Sequence, residues 1–218
     1  MRQKISWSIP KLIGCSSPKI LAVLVVILAV FVPTNAQSQK NQPANCIGGT
    51  LDAPIKLEVF SDFQCSWCKM FYMETITQVL KNYSPNDKIC VIYYEFPLQM
   101  HPYGHKAARY SIAAQRVGKK QWLAVIDALY TNQEKWGLDG NIDAVIKGVL
   151  SAEDFDQVKK NLLDPLIDEA IARDISIGQK RGVEGTPSIF LTALNKEHPK
   201  YPYAPYAVWK GYFDRIVK

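Results

Sequence analysis

The chain has 218 residues, 48% of them hydrophobic, and a formal net charge of +6 from 26 Lys and Arg against 20 Asp and Glu. This hydrophobic content excludes a disordered chain, and the length suits one domain or one domain with an insertion. Residues 1–36 hold four of the basic residues and no acidic residue, which leaves the remainder near neutral at +2. Because that remainder has no basic cluster, we expect no nucleic-acid partner.

The amino terminus has the order of a secretory signal peptide. Basic residues precede the uncharged apolar run Ile20–Val32, and Thr34-Asn35-Ala36 follows it; the basic residues are Arg2, Lys4, Lys11 and Lys19. The run has 13 residues, fewer than the ~20 that a membrane-spanning helix needs. We therefore predict cleavage near Ala36 and an exported, periplasmic or otherwise extracytoplasmic protein, with a retained membrane anchor as the alternative.

Residues 37–54 form a polar leader rich in Gln, Asn, Gly and Pro. The following segment, 55–97, begins with a strand of period two from Ile55 to Phe60. A helix is then predicted by one apolar face, and the run Ile89–Phe96 is typical of a buried strand; the face consists of Tyr72, Ile76, Val79 and Leu80. These three elements make a right-handed βαβ unit.

Residues 98–183 are predicted to be a helical insertion, with helices near 105–117, 120–133, 142–150, 153–162 and 165–181. Residues 184–218 return to strand character over 184–194, with a returning strand near 200–203. A final helix is expected over 208–217, with Pro205 in its first turn. The order β-α-β, helical block, β-β-α predicts an α/β fold in which the two ends of the chain complete one sheet.

The stretch "FSDFQCSWCKMF" places Cys65 and Cys68 where strand periodicity changes to helical periodicity. A zinc site usually takes four ligands, often from two such pairs, and Lys69 stands where haem attachment would need His. A purely structural disulfide across so short a loop would restrict the unfolded chain very little. The sequence therefore favours a redox pair over a metal clamp, a haem site or a structural staple.

The position of Cys65 favours its thiolate. We expect Cys65 in the first turn of a helix, where free amides and the helix dipole stabilise an anion and lower the pKa of a thiol. Cys68, one turn further along, is expected to be less exposed and placed to attack a mixed disulfide formed at Cys65.

The segments "FSDFQCSWCKMF" and "EGTPSIF", with the central helical block between them, resemble the DsbA-like thiol-disulfide oxidoreductases. That family has a thioredoxin-like fold with a helical insertion, and the resemblance covers roughly residues 50–218. It implies that Pro187 follows a cis peptide bond beside the cysteines and that the backbone of Thr186 pairs with substrate. It also implies that Glu58 matches a buried acid that could accept the proton of Cys68. Ser66-Trp67 stands where strongly oxidising members carry Pro-His, so the resemblance does not extend to strong oxidising power.

Cys46 and Cys90 are the other two cysteines that follow Ala36. Cys90 begins a central predicted strand and Cys46 lies just upstream of its expected neighbour, so a structural disulfide is possible, and two free thiols are the alternative. His101 and His105 have a spacing found in zinc enzymes, but Pro102 and Gly104 between them favour two histidines at the edge of a loop.

We interpret the chain as an exported enzyme that donates disulfides to cysteine-containing client proteins through Cys65 and Cys68. A disulfide isomerase or reductase of the same fold is one alternative, and a non-catalytic holdase that binds unfolded clients is another. We expect no cofactor and no metal, a membrane redox partner that resets the pair, and a monomer.

Overall fold

The computed structural model describes residues 45–201 and 203–217, so the predicted signal peptide lies outside it. A sheet of five strands occupies the centre of this part of the chain, in the order β1-β3-β2-β4-β5. The strands are β1 Cys46–Gly48, β2 Ile55–Ser61, β3 Ile89–Glu95, β4 Ser188–Ala193 and β5 Lys196–Tyr201.

The pairing of the strands joins both ends of the chain in one sheet, as the sequence predicted. β2 runs parallel to β3, and β4 lies antiparallel on the other side of β2. β5 pairs with β4 across a tight turn in which Leu194 and Asn195 both have positive φ, the backbone that hairpin turns of this kind require. β1 lies inside the predicted polar leader and pairs antiparallel with β3. The sheet therefore begins earlier in the chain than the sequence indicated.

The helix that follows the cysteines is continuous but not regular. It consists of α1 Ser66–Phe71, a π-helical turn Tyr72–Ile76 and α2 Thr77–Asn82. Three residues of the predicted face are buried, with Tyr72 4%, Ile76 1% and Val79 0% exposed, and the fourth, Leu80, is partly buried. A short 3₁₀ turn, Ser84–Asn86, leads into β3.

The insertion contains α3 Gly104–Gln115, α4 Lys119–Thr131, α5 Gln133–Asp139, α6 Ile142–Ile146, α7 Ala152–Asn161 and α8 Leu166–Lys180. The sequence did not predict α5. The helix predicted over 120–133 ends at Thr131. The side-chain amide of Asn132 donates to the carbonyl of Ala128 at 3.0 Å and so competes with the backbone amides for that carbonyl. Gly140, with φ of +70°, then ends α5. The last helix of the described chain is α9 Tyr206–Ile216, with Pro205 as its N-cap.

Opposite faces of the sheet bury different clusters, because neighbouring residues of a strand point to opposite faces. Leu57 and Val59 of β2 belong to the main core, which also contains both cysteines of the pair and much of the helical block. Phe60 packs on the other face with Phe96 and Phe190. The face that carries Leu57 and Val59 is therefore the face on which the cysteine helix lies.

Aromatic residues near the carboxyl terminus pack the end of the sheet. Trp209 and Phe213 of α9 are 3% and 0% exposed, and Tyr203 contacts the rings of Trp67 and Phe71 edge to face. In the described ranges, no helix combines the length and apolar character that crossing a membrane requires.

Candidate redox site

Cys65 ends the tight loop from Asp62 that joins β2 to α1, and Cys68 lies in the first turn of α1. Cys65 is the N-cap of α1 with an extended backbone (φ −75°, ψ 122°), and its carbonyl accepts from the amide of Lys69 at 3.1 Å. The amide of Cys65 donates to the carbonyl of Asp62 at 3.1 Å, which closes the loop. This places the sulfur of Cys65 at the amino-terminal end of the helix, as the sequence predicted.

The two thiols differ in how much of each residue is open to solvent. Cys65 is 7% exposed and Cys68 is 1% exposed, and both are free thiols. The order is the predicted one, although Cys65 is more covered than an open helix terminus would be. Cys65 is therefore the more accessible member of the pair.

The environment moves the pKa values of the two thiols in opposite directions. A hydrogen bond from the Cys68 thiol lowers the pKa of Cys65 from its ordinary 9.0 to about 6, against the opposing effect of burial. The value of about 6 also includes the smaller lowering effects of the backbone amides of Cys68 and Trp67. Burial raises the pKa of Cys68 well above its ordinary value, and its hydrogen bond to Cys65 and the charge there raise it too. Near neutral pH the pair therefore holds one thiolate, on Cys65.

This difference predicts the pH dependence of alkylation. The rate at which iodoacetamide modifies Cys65 is expected to reach half its maximum near pH 6, because only the thiolate reacts. Peptide mass spectrometry of partly modified protein would identify the reacting residue. Cys68→Ala removes the largest stabilising contact, so its midpoint should lie above that of the unmodified chain. A midpoint near 9 in the unmodified chain would contradict the assignment.

The segment before β4 lies against Cys65. The Thr186–Pro187 peptide bond is cis, as the family resemblance implies, and the Cys65 sulfur lies 3.4 Å from the carbonyl oxygen of Thr186. Since β4 pairs directly with β2, the sheet itself brings residue 186 to the cysteines across 121 positions of sequence. The backbone of Thr186 is thus next to the sulfur of Cys65.

A group of hydroxyls lies beneath Cys68. The Ser61 hydroxyl is 2.7 Å from that of Tyr130, which is 2.5 Å from that of Tyr93. The Ser61 hydroxyl partly opposes the rise in the pKa of Cys68, and the charge of a Cys68 thiolate would raise the pKa of Tyr130. The sequence did not indicate Tyr130, which comes from the helical insertion.

Glu58 does not reach the cysteines. It alternates with Leu57 and Val59 and so projects from the opposite face of β2, where it forms a salt bridge with Arg181 at 2.8 Å. This placement argues against the proton-relay role that the family resemblance suggested. The acid of β3 on the cysteine face is Glu95, which is 1% exposed and whose pKa burial raises well above its ordinary value.

The remaining cysteines and histidines have other partners. Cys46 and Cys90 are joined by a disulfide between β1 and β3, with 5.9 Å between their Cα atoms. The Nδ1 atom of His101 is 2.7 Å from the buried carboxylate of Asp62, and His105 lies 3.7 Å from Asp168. Within residues 45–201 and 203–217, no three His, Cys, Asp or Glu side chains are grouped to hold a metal ion.

Proteins with similar sequences include disulfide bond formation proteins. The family model described as thioredoxin matches residues 41–201. A probable disulfide bond formation protein D from Bacillus cereus is 26% identical over 157 residues, which cover 70% of this chain and 72% of that protein. The disulfide bond formation protein D of Bacillus subtilis is 25% identical over 161 residues, 71% of this chain and 69% of that one.

Two solved structures show the same fold. Wolbachia pipientis alpha-DsbA1 superposes with a TM-score of 0.62 at 22% identity, over 78% of this chain and 88% of that one. Pseudomonas aeruginosa DsbA2 has a TM-score of 0.59 at 20% identity, over 80% and 94% of the two chains. The match to the family model, which spans most of the chain, shows that this protein belongs to the thioredoxin family.

Proposed function

We propose that this thiol-disulfide oxidoreductase acts outside the cytoplasm and donates the Cys65–Cys68 disulfide to cysteine-containing client proteins. A client thiolate attacks the sulfur of Cys65, the Cys65–Cys68 bond breaks, and Cys68 leaves and takes up a proton. The second client thiol loses its proton and attacks the client sulfur of the mixed disulfide. Cys65 then leaves as a thiolate, so the client loses two electrons and the pair gains them.

The opposite pKa shifts of the two cysteines are the observation that carries this proposal. A Cys65 thiolate with a pKa of about 6 is a good leaving group, so the step that releases the oxidised client is favoured. Stabilising that thiolate also stabilises the reduced pair, which makes its disulfide more oxidising. The absence of a histidine at Ser66-Trp67 limits this effect, so we place the pair among moderate oxidants.

Export is supported by two independent features. The first is the signal-like order of residues 1–36, and the second is the Cys46–Cys90 disulfide, a bond that persists in oxidising compartments. An exported reductase or isomerase would need a supply of electrons to keep its pair reduced, whereas an oxidase needs a partner that removes them. We assign that resetting step to a membrane redox partner and expect the enzyme itself to be a monomer.

The experiment is the oxidation of a reduced, unfolded client that has two cysteines. The preoxidised enzyme is expected to remove two client thiols per Cys65–Cys68 pair, counted with a thiol reagent. The equilibrium with glutathione should show a potential more positive than that of the glutathione couple. An isomerase would instead reactivate a scrambled client with no net loss of thiols. A holdase would suppress client aggregation equally well after both cysteines are replaced by Ala, and either result would overturn the proposal.

A further inference from the structure

The helical insertion holds the loop that carries Cys65 through one buried amide side chain. Gln133, the first residue of α5, is 8% exposed. Its Nε2 atom donates to the carbonyl of Phe63 at 2.6 Å and to the carbonyl of Cys65 at 3.0 Å. One side chain thus bonds the backbone on both sides of Gln64, 68 positions away from Cys65 in sequence.

The side chain of Gln64 makes a second connection, from the loop to α5. Gln64, on the loop itself, donates to the carbonyl of Gly137 in α5 at 3.1 Å and accepts from the amide of Tyr103 at 2.8 Å. The loop and α5 therefore exchange hydrogen bonds. The ion pair between Lys69 and Glu134 also joins α1 to α5 at 2.8 Å, but Glu134 is exposed, and such pairs contribute little.

Gln133 holds the backbone of the residue that carries the nucleophilic sulfur. Cys65 is the N-cap of α1, and no side chain caps that helix, so the backbone torsions at Cys65 decide how its sulfur faces the first amides. The carbonyl that Gln133 holds belongs to the same residue. A rotation about the Cys65 backbone would move the sulfur away from the amides of Trp67 and Cys68 and from the carbonyl of Thr186.

We propose that Gln133 is a positioning residue for thiol-disulfide exchange: its amide fixes the loop from Phe63 to Cys65 so that the Cys65 sulfur faces the start of α1. The inference rests on the proposed redox role of Cys65 and does not depend on whether the enzyme oxidises or reduces its clients. It gives the helical insertion a part in setting the chemistry of the pair, since α5 supplies the amide. An apolar side chain at position 133 would fill the same space without holding either carbonyl.

The test compares Gln133→Met with Gln121→Met. Methionine keeps the length of the side chain and removes the donor. Gln121 lies in the same insertion, but its amide donates to Asp154 at 3.1 Å, so its substitution serves as the matched control. The readouts are the pH midpoint of Cys65 alkylation and the equilibrium constant with glutathione, because both report on the Cys65 thiolate and neither changes when a variant is only less stable.

Gln133→Met is expected to raise the alkylation midpoint by about half a pH unit or more, which is about a threefold loss of thiolate well below the midpoint. The glutathione equilibrium should move about threefold toward the oxidised enzyme, while Gln121→Met leaves both values unchanged.

A folded Gln133→Met with both values unchanged would overturn the inference. If Gln133→Met does not fold, Gln133→Leu decides by the same criteria, because its side chain carries neither a donor nor a charge. If the unmodified protein has a potential no more positive than that of the glutathione couple, the proposed oxidase function is wrong. The comparison of Gln133→Met with Gln121→Met still tests the positioning role in that case.

Discussion

Cys65→Ser is expected to slow thiol exchange with a small aromatic disulfide by on the order of 1000-fold or more, because a serine hydroxyl does not ionise in this pH range. Cys65 is the member of the pair with the lowered pKa and the greater exposure, and its sulfur contacts the carbonyl of Thr186. The measurement is the release of the coloured thiol under single-turnover conditions at pH 7. Residual exchange within tenfold of the unmodified rate would show that another cysteine is the nucleophile.

Cys68→Ser is expected to trap the client as a mixed disulfide, whereas Cys65→Ser prevents that disulfide from forming. Cys65 still attacks a client disulfide, but the enzyme has no second sulfur at position 68 to displace the client, so a mixed disulfide with the client accumulates. Non-reducing electrophoresis after an acid quench should show this adduct, and dithiothreitol should remove it. Cys65→Ser is the matched control and should trap nothing. If Cys68→Ser turns over clients normally, a resolving role for Cys68 is wrong, and the pair acts through Cys65 alone.

The strands that hold these cysteines could be predicted because their pattern is local. Ile55, Leu57 and Val59 alternate with polar residues, and the structure buries all three in the main core. The same alternation already places Glu58 on the other face of β2, away from the cysteine helix. The position of Glu58 in the sequence suggested a proton relay to Cys68, whereas the two-residue period of β2 argued against that role. Local periodicity is the stronger signal here, since one residue of offset reverses the face.

The rest of the site could not be predicted because its members are distant in sequence. Tyr130 is 69 positions from Ser61, and Gln133 is 68 positions from Cys65. The sequence predicted only helix in the region of both residues. β1 was missed for a different reason. Its three residues, Cys46–Gly48, are too short to show a period, and they form a strand only because β3 offers an edge.

Removal of the Cys46–Cys90 disulfide is expected to have the largest effect on stability. The two cysteines are 44 positions apart, and opening a loop of that length lowers the free energy of unfolding by about 4 kcal/mol in the chain-entropy model. The bond ties β1 to β3 at the edge of the sheet, and both cysteines are buried with Ala53. Cys46→Ala/Cys90→Ala should therefore unfold at lower urea concentration.

Cys65→Ala/Cys68→Ala is the matched control, because a disulfide between those positions closes a loop too short to restrict the unfolded chain much. Urea titrations of the oxidised proteins, followed by tryptophan fluorescence, would compare the two pairs. The Cys46–Cys90 variant should still exchange disulfides at temperatures where it remains folded, since Cys46 and Cys90 lie in a separate buried cluster from Cys65. Loss of exchange in a folded Cys46→Ala/Cys90→Ala protein would mean that electrons pass between the two pairs. An unchanged urea midpoint would instead mean that β1 stays on β3 without the bond, through the antiparallel pairing of Cys46 with Ile92.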